Sequence, residues 1–222
     1  AQHHRSFDLP QQRVVDVVRE VHELVDQVGR CAGADRHELV LGLLRELGLV
    51  PPCVARRIGG DDWTAIVGYG HSPEHLSFHR ANDAVLISGD MLLPRISPNT
   101  PTLAFEPETD AVGHYLDSIE GFRTLDADTL VLPAHGDPYR GLHARIDALQ
   151  AHHAERLAQI VALCAQPTAA ADLLPSLFKR ALDSFQTRFA MGEVIAHLNH
   201  LWRTGRLRRL PAQGGVIRYT QP

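Results

Sequence analysis

The sequence predicts an α/β protein, because helical and strand-like patterns occupy different parts of one chain of 222 residues. Residues 11–28 carry apolar side chains at spacings of 4, 3, 4 and 3, which is typical of an amphipathic helix. From Trp63 onward, short segments rich in Val, Ile, Leu and aromatic residues lie between turn-forming residues and predict strands. Helical spacing returns at 110–125 and at 141–164.

Composition excludes several classes of protein. The hydrophobic and charged fractions, 44% and 22%, are ordinary for a globular chain, and no apolar run approaches the ~20 residues of a membrane span. A net charge of -4 gives no electrostatic case for nucleic-acid binding. Three widely separated cysteines favour reduced thiols and a cytoplasmic location over a disulfide framework. The unusual count is histidine, with 14 residues.

The middle of the chain contains the predicted strands, after a second helix at about 35–47. The strand segments are "WTAIVGY", "HLSFHR", "AVLISGD" and "TLVLPAH", and "AND" at 81–83 predicts a hairpin turn between two of them.

The last 60 residues or so resemble a winged-helix module. We expect an N-cap at Thr168, a short helix, a longer helix that ends at Gly205, and two strands around a Gly-Gly turn in "LRRLPAQGGVIRYT". On the longer helix, His197 and His200 are expected to be structural or exposed rather than metal ligands. Its apolar positions, which we expect to be buried, are Phe189, Val194, Leu198 and Leu201.

Three strand ends carry side chains that bind metals. "GYGH" places His71 after one strand, "LISGD" places Asp90 after another, and "LVLPAH" places His135 after a third. Such ends collect at one edge of a sheet in layered α/β proteins, and two imidazoles with a carboxylate suit zinc, manganese or iron. Taken singly, each has a simpler interpretation, as a surface or hydrogen-bonded histidine or an aspartate in a turn.

The order of these motifs resembles the metallo-β-lactamase fold hydrolases, in the branch with hydroxyacylglutathione hydrolase-like and ribonuclease-like members. The matching segments are "GHSPEH", "SGD", "PAHG", "DMLLPRISPN" and "GEVIAHLNHL", and the resemblance covers roughly residues 59–219. It implies the C-terminal half of an αββα sandwich followed by a winged-helix-like domain. The expected divisions are a mostly helical connector at 1–58, the β/α core at 59–147 and the winged-helix-like domain at 148–222.

The resemblance also implies roles for single residues. His71 would bind the first metal, Asp90 would bridge both metals, and His135 would bind the second. His75 would support the loop without binding metal. The cofactor would be zinc, or manganese or iron, with up to two ions in a complete site.

The family's principal motif, H-x-H-x-D-H, does not occur in this sequence. Each metal would therefore keep one histidine and a share of Asp90, whereas a catalytic zinc normally has three protein ligands. The expectation is a hydrolase whose site is incomplete in this chain.

The implied function is hydrolysis of an ester, thioester or phosphodiester by metal-bound hydroxide. Two alternatives stay open, namely a non-catalytic remnant that binds a partner protein and a winged-helix nucleic-acid binder. The latter would use the arginine cluster around 203–218, although a solvated face is the simpler interpretation. We expect a small ester or thioester as the partner molecule, no membrane contact, and self-association through exposed sheet surface.

Overall fold

A computed structural model describes residues 53–58, 60–102 and 106–222. The chain divides into two compact units, residues 1–65 and 66–222. In the first unit the described strand is β1 (Cys53–Ile58), and β2 (Asp61–Gly68) begins there and ends in the second unit. The helices predicted at 11–28 and 35–47 lie outside the described residues.

The second unit contains the remaining strands and all four described helices. Its strands are β3 (His75–Arg80), β4 (Val85–Gly89), β5 (Leu130–Pro133), β6 (Thr168–Ala169), β7 (Arg208–Arg209) and β8 (Arg218–Thr220). Its helices are α1 (Ala111–Gly121), α2 (Leu142–Leu163), α3 (Ala170–Leu177) and α4 (Ser184–Arg203). All four predicted strand segments from Trp63 onward are confirmed. Within the described ranges, no helix is both long and apolar enough to cross a lipid bilayer.

In the second unit, the larger sheet has the strand order β3-β4-β5. Strands β3 and β4 form an antiparallel pair across a 3-10 turn at Ala81–Asp83, which confirms the predicted hairpin. Two hydrogen bonds from Arg80 to the carboxylate of Asp83, 2.8 and 2.7 Å long, hold this turn. Strand β5 then pairs parallel with β4, so that Gly89 lies opposite Pro133. The parallel pairing brings the residues after both strands to the same edge of the sheet.

Helices α1 and α2 cover this part of the sheet through one apolar cluster. Leu86 and Val131 come from β4 and β5, Ile119 comes from α1, and Ile146 comes from α2, all fully buried. Burial of a large aliphatic side chain contributes about 1.5–3 kcal/mol, so this cluster fixes the strands that carry Asp90 and His135. Helix α2 is continuous through the expected domain boundary at 147/148.

The C-terminal part packs α3, α4 and the end of α2 around a second apolar cluster. Strands β6, β7 and β8 form an antiparallel sheet in the order β6-β8-β7, and positive φ angles at Gly214 and Gly215 form the predicted turn before β8. Gly205, with φ of 71°, follows the end of α4 as predicted.

Two expectations for this part are wrong. Thr168 is not the N-cap, because its backbone pairs with Tyr219 in the small sheet and Ala169 precedes the first turn of α3. Phe189 is not buried; it is 50% exposed and its ring lies 4.7 Å from that of Phe185. The other three apolar positions, Val194, Leu198 and Leu201, are buried as expected.

Candidate metal centre at the ends of β4 and β5

Asp90 lies between the two predicted histidine ligands. Its Oδ2 is 3.6 Å from Nε2 of His71, and its Oδ1 is 3.5 Å from Nε2 of His135. Both distances exceed that of a good hydrogen bond. They match the ~3.4 Å that separates two ligand atoms bound ~2.1 Å from one tetrahedral ion. The structure thus brings all three predicted residues together, with one imidazole facing each carboxylate oxygen.

The two histidines differ in how firmly they are held. The His71 side chain is 27% exposed, and its Nδ1 donates a 2.8 Å hydrogen bond to the backbone carbonyl of Asn99. In the neutral imidazole, this bond leaves the Nε2 lone pair directed at Asp90, as in metal-binding histidines. His135 is 73% exposed and follows β5 in a loop where Gly136 packs on Pro94.

A lone pair and a carboxylate that face each other at this distance are both acceptors. They repel unless a proton or a metal cation lies between them. The donor types and the spacing therefore fit a divalent cation. The number of donors does not fill a complete site, because in the described part of the chain no three His, Cys, Asp or Glu side chains are grouped to hold one metal ion.

His75 contacts the backbone next to Asp90. Its Nε2 accepts a 3.2 Å hydrogen bond from the Asp90 N–H, and a Cβ on Gly89 would lie 2.4 Å from the imidazole Cε1. Burial, followed by the charge of His71, lowers the pKa of His75. Because its Nε2 already accepts a hydrogen bond from the Asp90 N–H, His75 is placed to fix the turn at Asp90.

The segment after Asp90, "MLLPRISPN", is tied to two helices. Tyr115 in α1 donates a hydrogen bond to the Met91 carbonyl at 3.1 Å. Arg145 in α2 donates to the carbonyls of Leu93 and Ile96 at 2.6 and 2.8 Å. These bonds fix the path of the chain from Asp90 towards Asn99.

Two buried histidines continue this support, and no sequence motif marks them as a pair. The rings of His153 and His197 stack 5.3 Å apart, with His153 Nδ1 3.2 Å from His197 Nε2. His197 Nδ1 donates to the Glu193 carbonyl at 2.8 Å, and Ser97 Oγ lies 3.0 Å from His153 Nε2. We call these four residues the histidine chain. Its sequence signal is an imidazole within an apolar stripe, as at Leu149, His153 and Leu157 of α2.

The histidine chain is neutral and directional. Burial lowers the pKa of His153 to about 3 and that of His197 to about 4. With His197 Nδ1 as a donor, His197 Nε2 accepts from His153, whose Nε2 then accepts from the Ser97 hydroxyl. The hydrogen bond to His153 thus holds Ser97, which lies two residues before Asn99, whose carbonyl orients His71.

Other predicted positions have partners away from Asp90. His200 Nδ1 lies 3.0 Å from Oδ1 of Asp110, the N-cap of α1. Burial alone would raise the pKa of Asp110, but the hydrogen bonds with His200 and the Gly113 N–H outweigh it and lower that pKa. His197 and His200 are therefore structural, as expected.

The arginine cluster is partly engaged within the protein. Arg203 donates to the Glu108 carbonyl at 2.8 Å, and Arg209 pairs with the Glu108 carboxylate. The guanidinium of Arg209 also lies 4.9 Å from the ring centre of Trp202. Arg206 and Arg208 are exposed.

Comparison with known proteins identifies both parts of the described chain. Residues 55–135 match the family model "Metallo-beta-lactamase superfamily", and residues 157–222 match "Metallo-beta-lactamase-like, C-terminal domain". No curated protein matches in sequence.

Two solved structures are similar over most of this chain. A beta-lactamase domain protein from Burkholderia ambifaria is 47% identical with a TM-score of 0.75, and the match covers 78% of this chain and 52% of that one. A metallo-beta-lactamase family protein from Thermus thermophilus is 29% identical with a TM-score of 0.68, over 78% and 54% of the two chains. This chain spans about half the length of these relatives. The predicted α/β class with a metallo-β-lactamase-like fold is confirmed.

Proposed function

The chain contains metallo-beta-lactamase superfamily domains, and from this premise we propose that it serves the metal-dependent hydrolysis of an ester, thioester or phosphodiester. The observation that carries the proposal is the pair of contacts at Asp90, where each carboxylate oxygen faces one imidazole. His71, Asp90 and His135 would supply ligands to one or two divalent cations, with Asp90 shared between them. Zinc, manganese and iron all suit this donor set.

The cation, when bound, would act as a Lewis acid that polarises the scissile group and activates water. The chain's own residues prepare the ligands for that task. Asn99 fixes the tautomer of His71, since its carbonyl can accept only from a protonated Nδ1. His75 holds the backbone at Asp90 through its Nε2 acceptor, and burial, which lowers its pKa, favours the neutral imidazole that can accept.

The number of ligands limits what these residues can do alone. One imidazole and one carboxylate oxygen for each cation fall short of the three protein ligands of a typical catalytic zinc. We therefore infer that full activity needs further ligands of the H-x-H-x-D-H kind, a motif that this sequence does not contain.

We further propose a winged-helix-like arrangement for the C-terminal part. The order β6, α3, α4, β7, β8 and the antiparallel pairing of β8 with both other strands support it. Asn199 and Arg203 of α4 donate hydrogen bonds to backbone carbonyls at 107–109. These bonds favour packing against the hydrolase part as the main role of the C-terminal part. The motif "DMLLPRISPN" favours the hydroxyacylglutathione hydrolase-like or ribonuclease-like branch.

Metal titration of the 222-residue chain tests the ligand assignment. Cobalt(II) can replace zinc, and its visible absorption reports imidazole and carboxylate binding. We expect weak binding that Asp90→Asn abolishes, because the substitution keeps the shape of the side chain but removes its charge. Asp117→Asn, at an exposed position of α1, is the matched control and should bind as the unchanged chain does. Equal cobalt binding by the Asp90→Asn variant would refute the assignment.

A further inference from the structure

A cavity of about 340 Å³ lies beside α4 and is lined mainly by apolar side chains. Phe178 and Leu182 line it from the segment before α4, and Phe185 and Phe189 line it from the first turns of that helix. Arg180 and Gln186 add polar groups. This size is at the lower end of the range for small-molecule sites, which are mostly apolar with a few polar groups.

The cavity is connected to the candidate metal centre through two lining residues. Asn99 lines the cavity, and its backbone carbonyl accepts the hydrogen bond from His71. Glu193 also lines the cavity, and its carbonyl terminates the histidine chain at His197. A molecule in this cavity therefore lies against the residues that orient the first predicted metal ligand.

The aromatic pair in the cavity is unusually exposed. Phe185 is 70% exposed and Phe189 is 50% exposed, with their rings tilted at 56° in contact. Two adjacent exposed aromatic rings beside a polar site are typical of a surface that an apolar ligand covers. Burial raises the pKa of the Glu193 carboxyl in the wall of the cavity.

We propose that this cavity binds the acyl group of the substrate, a saturated chain of medium length, while the scissile bond lies at Asp90. This inference rests on the proposed function, and it selects an acyl ester or thioester over a phosphodiester. Each methylene that enters the cavity should strengthen binding roughly fourfold, because its removal from water is favourable by ~0.8 kcal/mol. The gain should stop when the chain fills the cavity.

Binding of unreactive substrate analogues tests this without relying on catalysis. N-methyl alkanamides from acetyl to octanoyl can be titrated into the full chain, with and without zinc, while NMR follows the rings of Phe185 and Phe189. We expect affinity to rise with each methylene up to a limit, and the two ring signals to shift. Phe189→Ala should weaken hexanoyl binding roughly tenfold and flatten the dependence on chain length.

Two further variants separate the cavity from general effects. Phe189→Leu keeps most of the apolar surface and should retain most of the chain-length dependence. Val216→Ala removes an exposed apolar side chain from the turn before β8 and should change nothing. Equal affinity for acetyl and hexanoyl amides, or equal losses in Phe189→Ala and Val216→Ala, would overturn the proposal.

The outcomes also distinguish this inference from the proposed function. Chain-length-dependent amide binding, in a protein that hydrolyses no ester even after a segment bearing H-x-H-x-D-H is joined to it, would support the cavity assignment and rule out the hydrolase. Hydrolysis with no preference for acyl length would support the hydrolase and rule out the acyl-binding cavity. Sedimentation equilibrium tests a second copy of this chain as the occupant. A dimer that Phe189→Ala dissociates, with no chain-length dependence in either protein, would assign the aromatic pair to self-association instead.

Discussion

The histidines at the ends of the strands and the histidines inside the helices use the same side chain in opposite ways. His71 and His135 are accessible to solvent and direct nitrogen atoms at a carboxylate 3.5–3.6 Å away. His153 and His197 are only 2% and 1% exposed, and protein groups satisfy both nitrogens of each ring. The first arrangement leaves room for a cation, whereas the second excludes one. Burial and hydrogen-bond saturation, more than residue type, therefore separate a candidate ligand from a structural imidazole.

The largest expected effect is on catalysis, which should depend on the histidines near Asp90 and not on the buried pair. Joining a segment that bears H-x-H-x-D-H to this chain should raise zinc-dependent thioester hydrolysis by orders of magnitude, because it supplies the missing ligands. Asp90→Ala in the joined protein should abolish that gain, and a chelator should do the same. Hydrolysis of a thioester and of a bis-aryl phosphodiester measures the effect. Rapid, chelator-sensitive hydrolysis by the 222-residue chain alone would show instead that its three predicted ligands suffice for catalysis.

The free energy of unfolding should depend on the buried histidines much more than on the exposed histidines near Asp90. His197→Ala should lower the free energy of unfolding by about 2–4 kcal/mol, since it leaves a cavity and removes the acceptor for His153 Nδ1. His135→Ala, at an exposed site, should change it by less than ~0.5 kcal/mol. Urea denaturation of both variants measures the difference. Similar losses in the two proteins would mean that burial does not distinguish these histidines.

Acid should destabilise the protein through the buried pair. His153 and His197 have folded-state pKa values of about 3 and about 4, below the ~6.5 of an unfolded chain. The unfolded state therefore binds more protons between about pH 6.5 and pH 4, and stability falls as the pH is lowered through that window. The loss should be on the order of 6 kcal/mol by pH 4, about 3 kcal/mol from each histidine. Urea titrations at several pH values measure it, and His197→Gln should reduce the slope. An unchanged slope in that variant would contradict the assignment.

Much of the fold followed from the sequence because the signals were local. Short apolar strands with turn residues at their ends predicted β2 to β5, and the stripe in 141–164 predicted α2. The convergence on Asp90 was also predictable, since it needs only residues that directly follow neighbouring strands. The pairing of His153 with His197 was not, because 44 residues separate them and neither has a distinctive neighbour. Phe189 fitted an apolar stripe, but nothing local shows that its face of α4 opens on a cavity.

The smallest expected effect concerns Ser97, which lies between the buried histidines and the candidate metal centre. Ser97 is the last residue of the histidine chain, bonded to His153, and lies two residues before Asn99, whose carbonyl orients His71. Ser97→Ala should therefore loosen the segment that positions the His71 imidazole. We expect a decrease of about 1 kcal/mol in stability, the usual cost of one hydrogen bond, and a decrease of less than about tenfold in cobalt affinity. Thr204→Ala removes a hydroxyl that bonds the His200 carbonyl in α4 and is the matched control. It should cost similar stability with no change in cobalt affinity, because its helix end lies outside the path from His153 to His71. If both variants bind cobalt equally, the buried histidines stabilise the fold without orienting the candidate ligand.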